Sequence, residues 1–155
     1  MRPLYIFDLD GTLALIEHRR HFVEGTSKNW PAFFAACVDD KPNVPVIHTF
    51  KALRKSAEVW IWSGRSDEVR DQTLTWLYKH GLIHPFWNPP RAPEAFRMRK
   101  AGDRQMDVSL KAGWLSEIEP PERNRLTAVF DDRSSVVKMW RGNGVPCFQV
   151  APGEF

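Results

Sequence analysis

The sequence is poor in cysteine and contains no long apolar run. Cys37 and Cys147 are the only cysteines among 155 residues, and they stand far apart. A disulfide-stabilised secreted domain is therefore not expected, and both thiols are predicted to be reduced. Asp8 interrupts the first apolar segment too early for a signal peptide, and no later run approaches the length that spans a bilayer. We expect an unexported, cytoplasmic protein with no membrane partner.

The charge excess is also small, and the chain is short. Twenty-two Lys and Arg against nineteen Asp and Glu give a net charge of +3, which favours polyanionic partners only weakly. With 43% hydrophobic and 26% charged residues in a chain of 155, one ordinary core can form but two typical domains cannot. A single domain over residues 1–155 is predicted. The sequence does not indicate an oligomeric state.

Short apolar runs that end in polar clusters recur along the chain. Residues 4–7, 58–62 and 126–130 are such runs, and residues 145–150 form a fourth. Between them the apolar residues change to helical spacing, with Ser66 as the predicted cap of one helix and Gly81 as its stop. This alternation predicts an α/β fold with three layers, a central parallel sheet covered by helices on both faces. The polar clusters then meet beyond the carboxyl ends of the strands, where such sheets bind ligands.

Four carboxylates stand in these clusters. Asp8 and Asp10 are two positions apart after the first run, and Asp131 and Asp132 follow the third. Together they can hold a hard cation such as Mg²⁺, which prefers oxygen ligands. An acidic turn with a helix cap is the alternative for the first pair, but the strand before it and Gly11 after it make that alternative weak.

Other residues at the same edge suit a phosphate group. A bound phosphoryl group needs its charge balanced by cations, hydroxyls or backbone donors. Ser63, Arg65 and Lys111 can supply these, although a solvated surface is the ordinary place for Arg65 and a helix face for Lys111. Gly11 permits a tight turn, after which Thr12 can offer its hydroxyl or amide.

In this order the clusters resemble the four motifs of the haloacid dehalogenase (HAD) phosphatases: residues 8–12, residues 63–64, Lys111 and residues 131–132. The resemblance implies a Rossmann-like HAD fold, with Asp8 as the nucleophile that forms an aspartyl-phosphate and Asp10 as the acid and base. It further implies an Mg²⁺ ion held by Asp8, the backbone oxygen of Asp10 and Asp132, with Asp131 behind them. The residues alone leave the order of Asp131 and Asp132 open.

A closer resemblance, over nearly the whole chain, is to the 3′-phosphatase domain of phage-type polynucleotide kinase/phosphatases. The residues that carry it are Arg19, Ser63, Gly64, Arg65, Arg97, Met98, Arg99, Asp107, Lys111, Asp131, Asp132, Arg133, Val136, Val137, Met139, Trp140, Arg141, Gly144, Cys147, Gln149, Val150, Gly153 and Phe155.

This closer resemblance implies an enzyme that removes the phosphate from 3′ ends of DNA or RNA. Arg19, Arg65 and Gly64 would then lie at the phosphate with Thr12 and Lys111. Asp107 has two interpretations, an ordinary i, i+4 pair with Lys111 or a carboxylate that orients an active-site arginine.

The sequence lacks one feature of these bifunctional proteins, the phosphate-binding loop of the kinase. No G-x-x-x-x-G-K followed by Ser or Thr occurs, so the kinase half is predicted to be absent and a separate kinase or ligase to be a functional partner. The compartment implied is the cytoplasm of a bacterium or of a phage-infected bacterial cell. A small-molecule phosphatase acting on nucleoside monophosphates, and a non-catalytic binding module, remain as alternatives.

The segment from about residue 14 to 45 is rich in charge and aromatics but too short for a large cap. We expect a small helical cap that leaves the crevice open to a polymer end. His18 and His21 lie in it but are left out as ligands, because the expected cation prefers oxygen. Trp30, Trp76 and Trp87 could stack on bases, although a place in the core or at its rim is favoured.

Overall fold

The computed structural model describes residues 1–84 and 93–154, so Trp87 and Phe155 lie outside the described residues. The strands are β1 (Leu4–Phe7), β2 (Ala14–Leu15), β3 (Lys41–Pro42), β4 (Glu58–Ser66), β5 (Phe96–Arg99), β6 (Leu126–Asp131) and β7 (Cys147–Gln149). The α-helices are α1 (Trp30–Ala35), α2 (Val44–Leu53), α3 (Arg70–Lys79), α4 (Asp107–Ser116), α5 (Pro120–Arg125) and α6 (Ser134–Gly142). Short 3₁₀ helices cover Glu17–Phe22, Ala36–Asp39, Asp67–Val69 and Pro93–Ala95.

Five of the strands form one parallel sheet in the order β5-β4-β1-β6-β7. β1 lies at its centre, with Phe7 in register with Ile61 of β4 and with Phe130 of β6. The predicted α/β architecture is confirmed. Because all three strands run in the same direction, the residues that follow them lie at one edge of the sheet.

The apolar runs alternate between the two faces of the sheet, which gives the three layers. Leu4 and Ile6 of β1 pack with Trp60 and Trp62 of β4 and with the helices α4 and α6. Phe7 faces the other way, in a second cluster formed with α2 and α3. Strands buried on both faces are nearly continuous apolar runs in sequence, which is why the runs were recognisable.

The structure differs from the predicted strands in three main places. β4 extends to Ser66, four residues past the predicted run at residues 58–62, so the second motif lies within the strand and not after it. The run at residues 145–150 is a strand only over Cys147–Gln149. β5 was not predicted, because it is a short edge strand in which Phe96 and Met98 alternate with two arginines. Gly81, just after α3, has a φ of 70°, as predicted for a helix stop. Ser66 accepts a hydrogen bond from the amide of Glu68, but it caps the 3₁₀ helix Asp67–Val69, and α3 itself begins at Arg70.

Residues between β1 and α2 form a small inserted layer at the carboxyl edge of the sheet. It consists of the antiparallel pair β2 and β3, two 3₁₀ helices and α1. Within residues 1–84 and 93–154, every helix is too short or too polar to cross a lipid bilayer. Cys37 and Cys147 are both buried and free.

Candidate active site

Three carboxylates meet where β1 and β6 end. Asp8 follows β1, Asp131 is the last residue of β6 and Asp132 comes next. Each offers an oxygen, and these oxygens lie within 4.8 Å of one another. All three residues are buried. Burial raises the pKa of Asp8, although Lys111 opposes the shift, and burial with the charge of Asp131 raises the pKa of Asp132 to about 7. Buried carboxylates this close together repel one another unless a cation joins them, so the donor set fits Mg²⁺.

Lys111 joins this cluster from α4. Its ammonium group donates to Oδ1 of Asp8 at 2.6 Å and to Oδ2 of Asp131 at 2.7 Å. Burial alone would lower the pKa of Lys111, but the charges of Asp131 and Asp8 outweigh burial and raise it. Lys111 therefore stays charged at neutral pH and is one fixed cation beside Asp8.

Close backbone approaches hold Asp132 in place. Gly11 has a φ of 84°, and a Cβ there would collide with the carboxylate of Asp132. On the other side, Nε2 of the Gln149 side chain donates to the carbonyl of Asp132 at 2.9 Å. A Cβ on Gly153 would collide with the same carbonyl. Glycine is thus needed at position 11 both for the turn and for the space occupied by Asp132.

Asp10 forms ion pairs with two arginines. Its Oδ1 accepts hydrogen bonds from Nη2 of Arg19 at 2.8 Å, from Nε of Arg65 at 3.1 Å and from Nη2 of Arg65. Burial alone would raise the pKa of Asp10, but the guanidinium groups of Arg65 and Arg19 outweigh it and hold the pKa well below the usual range. Asp10 is therefore ionised while both arginines contact it.

Asp40 is the residue at this site that sequence reasoning missed. Its Oδ1 accepts from Nε of Arg19 at 2.6 Å, and its Oδ2 accepts from Nη2 of Arg65 at 2.9 Å. His18 contacts Oδ1 at 2.8 Å, and the indole of Trp76 donates to the Asp40 carbonyl at 2.8 Å. Beside Asp39 in a charged segment, Asp40 resembles any solvated acid. The available signal was that two buried arginines require a second carboxylate besides Asp10.

Thr12 and Ser63 are buried at the same edge. The hydroxyl of Thr12 donates to Oδ2 of Asp8 at 3.2 Å, while its amide donates to the carbonyl of Leu9 at 3.2 Å within the turn. The hydroxyl of Ser63 accepts from the amide of Arg65 at 3.1 Å, which fixes the end of β4. A phosphate contact of Thr12 or Ser63 stays a prediction.

Asp107, at the start of α4, contacts arginines and not Lys111. Its Oδ1 accepts from Nη2 of Arg99 at 2.5 Å, and its Oδ2 pairs with Nη1 of Arg133 at 3.1 Å. Arg99 also donates to the carbonyl of Gly64 at 2.8 Å, and a Cβ on Gly64 would collide with Asp107. The structure thus places Asp107 against the second and fourth motifs.

The predicted residues therefore form three adjoining groups. Asp8, Thr12, Lys111, Asp131 and Asp132 form one cluster. A second group joins Asp10, Arg19 and Arg65 through Asp40. The third group is Gly64 with Asp107 and its two arginines. The roles of these residues in a reaction, and the backbone oxygen of Asp10 as a metal ligand, stay predictions.

Comparisons with known proteins bear on what this arrangement does. A family model described as the phosphatase domain of polynucleotide kinase PNKP matches residues 2–155. A curated protein of Autographa californica nuclear polyhedrosis virus, described as a putative bifunctional polynucleotide kinase/RNA ligase, is 29% identical over 141 residues. That match covers 90% of this chain and 18% of the viral protein.

Solved structures give the same picture. A chain of the Pnkp1/Rnl/Hen1 RNA repair complex has a TM-score of 0.78 and 29% identity, over 99% of this chain and 44% of its own. A second structure of that complex has a TM-score of 0.77 and 30% identity, over 100% of this chain and 48% of its own. CbbY from Rhodobacter sphaeroides, solved with phosphate, has a TM-score of 0.53 at 17% identity and shares the fold. The chain thus spans less than half the length of the repair proteins that it matches.

Proposed function

The chain belongs to the family of polynucleotide kinase PNKP phosphatase domains and is a phosphatase of the HAD fold, and from this membership we propose that it removes phosphate from the 3′ ends of DNA or RNA. The observation that carries the proposal is the position of Asp8. It is buried between Lys111 and Thr12, with Asp10 two residues further along the same loop.

Asp8, Asp131, Asp132 and the backbone oxygen of Asp10 are the residues proposed to hold Mg²⁺. The ion, when bound, supplies positive charge that balances the phosphate oxygens. Asp132 is the favoured direct ligand of the fourth-motif pair, because both carboxylate oxygens of Asp131 already accept hydrogen bonds, Oδ2 from Lys111 and Oδ1 from the backbone amide of Arg133.

In the first step an oxygen of Asp8 forms a bond to phosphorus as the bond from phosphorus to the 3′-oxygen breaks. Asp10 donates a proton to the departing oxygen, so it must first acquire one. A bound phosphate competes with Asp10 for the guanidinium groups of Arg19 and Arg65. As those contacts are lost, the cause of the depressed pKa of Asp10 is removed, and its carboxyl group can be protonated.

In the second step water attacks the phosphorus of the aspartyl-phosphate. Asp10, now a carboxylate, takes a proton from that water, and the bond from phosphorus to Asp8 breaks. Inorganic phosphate leaves, and Asp8 is restored. Lys111 stays beside Asp8 through both steps and balances the charge that returns to its carboxylate.

The surroundings of the site suit a polymer substrate. Residues 14–45 form a thin layer, and we assign them the role of a small cap within a single functional domain of residues 1–155. We propose that a kinase or ligase works beside this phosphatase, and the Pnkp1/Rnl/Hen1 complexes among the matched structures support such a partnership. Nucleic-acid repair of this kind, and two free cysteines, favour the reducing cytoplasm as the compartment.

A substrate panel tests the proposal. Release of inorganic phosphate is measured from an oligonucleotide with a 3′-phosphate, from the same oligonucleotide with a 5′-phosphate and from 3′-mononucleotides, with Mg²⁺ and with EDTA. We expect the enzyme to release phosphate from the 3′-phosphorylated oligomer when Mg²⁺ is present and not when EDTA is present. The rate should fall as the salt concentration rises. The Asp8→Asn variant should release no phosphate. Preference for mononucleotides would assign a small-molecule phosphatase, and hydrolysis by Asp8→Asn would reject Asp8 as the nucleophile.

A further inference from the structure

Trp30 is an exposed aromatic residue on the inserted layer. Its side chain is 43% exposed, whereas Phe33, one turn along α1, is 6% exposed. The Trp30 ring lies 5.7 Å from the ring of Phe33 and 5.8 Å from that of Phe34. These three residues are called the aromatic platform below.

The platform begins at the capped end of α1. Asn29 caps α1, with its side-chain oxygen accepting the amide of Ala32 at 3.1 Å. Trp30 is the next residue and presents one ring to Phe34 in a stacked arrangement, at an interplanar angle of 28°. With 43% of Trp30 exposed, part of its large apolar surface stays accessible to a ligand.

The aromatic platform is connected to the reacting groups through one arginine. The Arg19 guanidinium lies 4.2 Å from the centre of the Phe33 ring. The same guanidinium donates to Oδ1 of Asp10 at 2.8 Å. Asp10, the proposed proton donor, is thus connected to Phe33 through Arg19, and Phe33 contacts Trp30 in turn.

The direction of the reaction selects this side of the site for the rest of the substrate. In an in-line displacement the leaving oxygen lies opposite the attacking one, and the group that protonates it must be within hydrogen-bond reach. With Asp8 as nucleophile and Asp10 as acid, the nucleoside departs on the side of Asp10. This step rests on the function proposed above.

We propose that the aromatic platform binds a base near the 3′ end of the substrate by stacking on Trp30. Every base has a π-face, so such a site accepts any sequence, as an enzyme that acts on ends requires. The ammonium group of Lys28 lies over the Trp30 ring, 5.9 Å from its centre. Because Lys28 is exposed, its side chain can move from the ring to the phosphate next to a base that stacks there.

Two matched oligomers test this inference. Both carry a 3′-phosphate; one has normal bases and the other lacks the last three bases. For Trp30→Ala we expect the KM of the normal oligomer to rise roughly 5- to 150-fold, the effect of losing one stacked base. Its KM for the abasic oligomer and both kcat values should stay as in wild type. Trp30→Phe should recover most of the loss. Tyr78→Ala removes a 53% exposed aromatic residue at the far end of α3 and should change nothing.

The possible failures are distinguishable. Wild-type protein with no activity on either oligomer would reject the proposed function, and this inference with it. If wild type is active but Trp30→Ala leaves KM unchanged, or raises KM equally for both oligomers, the stacking inference is rejected while the proposed function stands. Analytical ultracentrifugation of wild type and Trp30→Ala completes the test. If the substitution dissociates a protein oligomer without raising KM, the platform is an interface between copies of the chain, and the inference is overturned.

Discussion

Asp40→Asn is the most informative single change, because it removes a charge while keeping the shape of the side chain. Arg19, Arg65, Asp10 and Asp40 form a balanced group of two cations and two anions, and the side chains of both arginines and of Asp40 are fully buried. The variant leaves one positive charge in this group without its partner. Breaking a buried pair in this way costs about 3–5 kcal/mol. In a protein of this size we expect the melting temperature to fall by about 6–20 °C.

Urea denaturation followed by circular dichroism measures this loss, with Asp39→Asn as the control. Asp39 is the exposed neighbour in the chain, and its variant should match wild type within about 0.5 kcal/mol. Adding Arg19→Met to Asp40→Asn removes the unpaired charge, so the double variant should lose less stability than the two single losses added together. The kcat of Asp40→Asn should fall roughly 10²-fold, because displaced arginines no longer meet the phosphate. If Asp40→Asn were as stable as Asp39→Asn, the assignment of Asp40 as the counterion of both arginines would be refuted.

Three further changes probe the rest of the site. Gly11→Ala should lower kcat by at least about 10²-fold, because the new Cβ collides with Asp132. Gly25→Ala is the control, since Gly25 also has a positive φ but no atom near its Cβ position. Equal activity of the two variants would contradict the reasoning. Isothermal titration with Mg²⁺ should give binding to wild type and at least roughly tenfold weaker binding to Asp132→Asn, and an unaltered affinity would remove Asp132 from the ligand set. The pKa of Asp10 is depressed in the folded protein, so its stabilising contribution is complete above the ordinary carboxylate pKa of about 3.9 and is lost progressively as the pH falls from that value towards the depressed folded pKa. The difference in unfolding free energy between wild type and Asp10→Asn should accordingly begin to shrink below about pH 5 and keep shrinking below about pH 3, and a constant difference would argue against the arginine contacts.

The sequence was sufficient for the sheet and for the first cluster of the site, for a physical reason. Strands buried on both faces must be apolar throughout, so residues such as 4–7 and 126–130 are recognisable, and polar residues directly after them can only lie at the edge. The edge strand β5 needs apolar residues on alternate positions only, and its Arg97 and Arg99 concealed it. Asp40 was unpredictable because its partners lie 21 and 25 residues away in the chain, and nothing local distinguishes it from Asp39.

If Arg19 and Arg65 bind the phosphate as proposed, their contacts with Asp10 link phosphate binding to the protonation of that carboxylate. While Arg19 and Arg65 contact it, Asp10 is a carboxylate, so it has no proton to give to a leaving group. Asp40 contacts both arginines from behind and keeps them at the site if they turn from Asp10 towards phosphate oxygens. Phosphate binding and protonation of Asp10 are then linked, since each weakens the hold of the arginines on the Asp10 carboxylate. The linkage predicts that inorganic phosphate binds with uptake of a proton in wild type. Titration calorimetry in buffers of different ionisation enthalpy measures that uptake, and its persistence in Asp10→Asn would show that the proton goes elsewhere.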